Sequence, residues 1–147
     1  MKNVIIKITN NEFVILEHHG FNKYEINGGV YLSFSLNDNL KQLKDKDFLL
    51  NMKGMFISKE KNIINIYSDI FRSIPLYYFT KNNETYLFSD FENIKKYIEI
   101  EDKIDKVGFW EYLLFGNGIY NRTIYENVKQ FTAAGKLLIE NNLLTFD

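Results

Sequence analysis

Apolar and polar residues alternate with a period of two through much of the first third of the chain. In "GVYLSFSL" (29–36), Tyr31, Ser33 and Ser35 alternate with Leu32, Phe34 and Leu36, the pattern of a strand with one buried face. "VIIKI" (4–8) and "EFVILE" (12–17) are rich in β-branched and aromatic residues, with "NN" and "NGG" as punctuation, and are predicted as strands. The middle reads as hairpins: "GMFIS" turns at "KEKN" into "IINIYSD", and "PLYYF" turns at "TKNNE" into "TYLFS". The tail, "AGKLLIENNLLTF", predicts two strands around an Asn-Asn turn. Pro75, the only proline, is expected at the first residue of its strand, where a missing N–H costs nothing.

Between these strands the period changes to that of a helix. Phe91, Ile94 and Ile98 stand at i, i+3 and i+7, and Ser89 followed by Glu92 has the spacing of a capping box. Val107, Trp110, Leu113 and Leu114 repeat the helical spacing, with Asp105 as the N-cap and Gly116 or Gly118 as the left-handed stop. A weaker helix is expected over "NDNLKQLKDK", with "KDKD" (44–47) as a solvated face or turn. Trp110 and the tyrosines at 77, 78, 97 and 112 are expected to pack between sheet and helix; left exposed, they would mark a binding surface. The sum is a β-rich α+β chain.

Composition narrows the function. A chain of 147 residues without a Pro-, Gly- or Ser-rich linker is expected to form one domain over 1–147. No apolar run approaches the roughly 20 residues of a membrane span, and the start lacks a signal-peptide pattern, so a cytoplasmic protein is expected. Net charge is −1, and only Arg72 and Arg122 are arginines, which argues against nucleic-acid binding. With no cysteine, the chain has no disulfide, thiolate ligand or thiol nucleophile. His18 and His19 are adjacent and face opposite sides of a strand, so no metal site is expected, and no glycine pattern suits a phosphate-bearing cofactor.

Four blocks carry a resemblance. "FLLNMKGMF" (48–56), "SDIFRSIPLYYF" (68–79), "LFSDFENIKKYI" (87–98) and "KVGFWEYLLFGNGIYNRTIYENVKQFTAAGKLLIE" (106–140) together resemble the N-terminal glutaminase-like domain of asparagine synthetases, β-lactam synthetases and lasso peptide cyclases. Asp69, Pro75, Leu76, Tyr77 and Tyr78 match in the second block, and Glu111, Tyr112, Phe115, Gly116, Arg122, Thr123, Gly135 and Leu137 in the last. The resemblance implies an N-terminal-nucleophile-hydrolase-like sandwich of two mainly antiparallel sheets flanked by helices. It also implies a class II glutamine amidotransferase whose active members use an N-terminal cysteine, activated by its own amine, to release ammonia for an ATP-using domain.

This chain departs from that pattern where the chemistry would be. It begins Met1-Lys2, and Lys2 is not the small residue that removal of the initiator methionine requires. The family's substrate-holding "N-G-E" has only a partial echo in "NGG" (27–29); the arginine before the turn aspartate is Ser68, and the turn glycine is Arg72. The expectation is a domain with no catalytic residue, cofactor or metal of its own, supporting an ATP-dependent amide-forming synthetase. The alternative is a non-catalytic protein or peptide interaction module. The implied partners are an ATP-pyrophosphatase domain in cis or in trans and a precursor peptide, with a homodimer left open. Asp69 and Arg72 are the candidates for partner or substrate contact; the plainer readings are a turn or capping aspartate and a solvated turn residue.

Overall fold

The structure is a computed structural model that describes residues 2–26, 28–33, 53–100 and 103–146. The expected helix in "NDNLKQLKDK" and the "KDKD" segment lie outside these residues. Eleven strands are described: β1 (Asn3–Thr9), β2 (Glu12–His19), β3 (Asn22–Ile26), β4 (Gly29–Ser33), β5 (Gly54–Glu60), β6 (Ile63–Ser68), β7 (Tyr77–Lys81), β8 (Glu84–Phe88), β9 (Lys129–Gln130), β10 (Lys136–Glu140) and β11 (Leu143–Phe146). Two helices are described, α1 (Phe91–Ile94) and α2 (Lys106–Phe115). The strands form two sheets, ordered β2-β1-β8-β7-β9 and β11-β10-β6-β5-β4-β3, with every pairing antiparallel.

Two-residue turns set the register of the hairpins. Asn10-Asn11, Asn82-Asn83 and Asn141-Asn142 all have positive φ, the left-handed conformation that asparagine tolerates and a tight hairpin turn demands. The first and last of these turns also meet. The Asn141 N–H donates to Asn11 Oδ1 over 3.0 Å, joining one end of the first sheet to the second.

Alternation along β1 builds both sides of the first sheet. Val4, Ile6 and Ile8 face the second sheet and join Leu32, Ile57, Ile66, Leu87, Phe131 and Leu137 in the main core. Ile5 points the other way, onto Phe79, Phe88, Ile94 and Val128, where Phe91 of α1 and Tyr125 cover the sheet's outer face. Each fully buried aliphatic or aromatic side chain stabilises the sandwich by about 1.5–3 kcal/mol.

Three expectations are corrected. α1 is a single turn capped by Asp90, whose carboxylate accepts from the N–H groups of Glu92 and Asn93. Ser89 cannot cap it, because its Oγ accepts the Val4 N–H over 2.9 Å. Pro75 precedes β7 by two residues and lies in the exposed connection. Trp110 and Tyr97 do not pack between sheet and helix: they are 61% and 42% exposed. The strand β3 was not foreseen.

Candidate functional site

Residues 68–75 form the turn between β6 and β7, and its centre is Asp69. The side chain is wholly buried. One carboxylate oxygen accepts from the N–H of Phe71 over 2.8 Å and of Ser73 over 3.0 Å, and the other accepts the Gly54 N–H. Its backbone carbonyl accepts from Arg72 and Ala134, and its N–H donates to the Gly54 carbonyl. Ser68, where the resemblance has an arginine, donates its hydroxyl to the Thr132 carbonyl over 2.6 Å and accepts the Gly135 N–H over 3.1 Å. The turn is thus stitched to the 132–135 loop on one side and to Gly54 on the other.

Arg72 stands where the resemblance has glycine, and the backbone explains the difference in residue demand. Its φ is +50°, a conformation that costs a residue with a Cβ roughly 1–2 kcal/mol. Part of that is offset by its guanidinium, 5.8 Å from the centroid of the Tyr77 ring, a contact worth about 0.5–1 kcal/mol. Arg72 Nε is buried and has no hydrogen-bond partner among the described residues. Burial pushes the pKa of the Tyr77 hydroxyl up; nearby Tyr112 of α2 adds to the rise and Arg72 opposes it. Asp69 and Arg72 therefore share one turn, with Asp69 inside it and Arg72 reaching towards α2. Beyond them Phe71 projects at the tip, 71% exposed.

α2 is oriented by polar groups. Asp105 caps it, accepting from Val107 over 2.9 Å and Gly108 over 3.0 Å, and Gly116 ends it with φ +74°. The buried face carries Gly108 and Glu111. A Cβ on Gly108 would stand 2.0 Å from the Thr123 carbonyl oxygen, so only glycine permits this approach of helix to chain. Glu111 accepts from the guanidinium of Arg122 and, over 2.8 Å, from the Ile119 N–H; Arg122 also reaches Asp105 at 3.5 Å. This network folds the 116–122 loop back along the helix. Sequence reasoning placed Glu111 and Arg122 only as matching positions; opposite charges eleven residues apart on either side of a glycine stop were the available signal.

With its polar side turned in, α2 turns its apolar side out. Val107, Phe109, Trp110, Leu113, Leu114 and Phe115 are 43–70% exposed.

At the start of β1, where the resemblance would put a nucleophile, Lys2 lies over Gly20, beside an open hollow of about 360 Å³ lined by residues 16–21. His18 and His19 line it and are both exposed. Among the described residues, no group of three or more His, Cys, Asp or Glu is placed to hold a metal ion, and no helix is long and apolar enough to cross a membrane.

No curated protein matches the chain. The family model described as "Glutamine amidotransferase domain" matches residues 27–146. That span takes in both sides of the Asp69 turn, the Glu111–Arg122 network and all the strands from β4 onward, so the chain belongs to the glutamine amidotransferase domain family.

Proposed function

We propose that this chain is a non-catalytic glutamine amidotransferase-like domain of the asparagine synthetase and lasso cyclase type, working in the cytoplasm. It supports an ATP-dependent amide-forming synthetase domain, in the same chain or in trans, that modifies or cyclises a peptide. In this reading the two sheets are an N-terminal-nucleophile-hydrolase sandwich kept for its shape. One observation carries the proposal. In a chain without cysteine, the family-matching residues Asp69, Glu111, Arg122 and Gly135 are all engaged in holding turns and loops together. Activation of a nucleophile by its own amine has no side chain to act on here. Contact with a partner or peptide falls to Arg72 and the neighbouring Phe71, while Asp69 shapes the turn that presents them.

Purified protein incubated with glutamine is expected to release no glutamate above a protein-free control. Release proportional to protein concentration would overturn the reading. The second reading, an interaction module without a synthetase, is favoured by the exposed apolar side of α2.

A further inference from the structure

The open side of α2 is too large and too apolar to be an ordinary surface. Val107, Trp110 and Leu114 stand at i, i+3 and i+7, and Phe109 and Leu113 stand beside them, so all five share one side of the helix. The loop that Glu111 folds back adds Ile119, 41% exposed, and Tyr120, 85% exposed. At about 150–250 Å² for a whole aromatic side chain, the uncovered fractions amount to on the order of 700–900 Å². The largest apolar patch on a typical monomer is about 300–600 Å². A standard protein interface takes about 800 Å² from each partner.

We infer that this face pairs with the same face of a second copy of the chain, two α2 helices packing antiparallel about a two-fold axis. The area is what one half of such an interface requires. The electrostatics also suit self-pairing. The stripe carries one charged residue, Lys106, at its N-terminal end, and the last turn of α2 holds no basic residue to offset its free carbonyls. Antiparallel packing of two helices, each about 15 Å long, sets Lys106 of each copy beside the negative end of the other and keeps the two lysines apart. A parallel arrangement would bring the lysines together. Aromatic residues, which dominate the centres of protein interfaces, lie mid-stripe at Phe109 and Trp110. The inference does not depend on the absence of glutaminase activity or on a synthetase partner.

Trp110 is the only tryptophan, so its fluorescence reports on this face alone. Analytical ultracentrifugation of the full chain from micromolar to millimolar concentration is expected to show a monomer–dimer equilibrium. Trp110 emission should move to shorter wavelength as dimer forms. Leu114→Glu, at a 70% exposed position that leaves the core untouched, is expected to weaken dimerisation on the order of 100-fold, with an unchanged circular dichroism spectrum. Val107→Glu provides a second variant on the same stripe. A chain that stays monomeric throughout, with constant emission, would overturn the inference. So would a dimer unaffected by both variants, or open-ended aggregates in place of a closed dimer.

Discussion

Asp69→Ala is expected to lower the unfolding free energy by about 3–5 kcal/mol, the largest loss from any single side-chain truncation in the turn. The carboxylate accepts three backbone N–H groups inside a site closed to water. Hydrogen bonds to a charged group contribute about 1.5–3 kcal/mol each, and a buried donor left without a partner costs about 1–3 kcal/mol. These terms share one carboxylate and do not add in full, which sets the range. Alanine orphans all three donors and loosens the 132–135 loop, because Ala134 donates to the Asp69 carbonyl. In a chain of this size the loss lowers the thermal midpoint by roughly 6–20 °C. Asp69→Asn keeps the shape but turns an amide NH₂ towards N–H donors, and is expected to lose about half as much. Thermal and urea unfolding of the three proteins check the order wild type, Asn, Ala.

Glu111→Ala is expected to cost about 2–3 kcal/mol and, more tellingly, to free one segment before the rest. Truncation removes the acceptor of the Ile119 N–H and strands Arg122 beside Asp105 alone. Breaking a fully buried ion pair costs about 3–5 kcal/mol, but the Arg122 side chain is 38% exposed, so water compensates part of the loss. Glu111→Gln keeps an acceptor for Ile119 and loses only the charge, and should cost about 1 kcal/mol. Amide exchange at Ile119 should speed up in the alanine variant while exchange in β1 and β8 stays as in the wild type. Equal acceleration everywhere would mean that the network supports the whole sandwich.

The hairpins were legible because their information is local. Paired asparagines between apolar runs specify a left-handed turn, and the structure has three of them with positive φ. The helix α2 was legible in extent, from its Asp105 cap to its Gly116 stop, for the same reason. Its orientation was not. The spacing of Val107, Trp110 and Leu114 says that one side is apolar, and the usual inference is that this side is buried. Here Gly108 and Glu111 face inwards because the Thr123 carbonyl approaches too closely for any Cβ and Arg122 supplies a partner for the carboxylate. Both causes lie in a loop beyond the helix, where periodicity carries no trace of them.

The other misreadings share that origin. Ser89 has the sequence spacing of a cap, yet a backbone N–H 85 residues away takes its hydroxyl, and Asp90 caps the turn instead. β3 is an edge strand whose Lys23 and Glu25 are exposed, so it lacks the apolar run that marked its neighbours. At the candidate site, Asp69 and Arg72 were recognised as one turn from the sequence. The three backbone donors around Asp69 come from both sides of the sandwich's second hairpin, and only the folded chain brings them together.

The central claim is that the glutamine amidotransferase scaffold here carries no working nucleophile, and covalent trapping tests it most directly. The protein is incubated with a diazoketone analogue of glutamine, which alkylates an activated N-terminal nucleophile, and its intact mass is then measured. The account predicts an unchanged mass. A single stoichiometric adduct, prevented by excess glutamine and located on the first residues of β1, would contradict it.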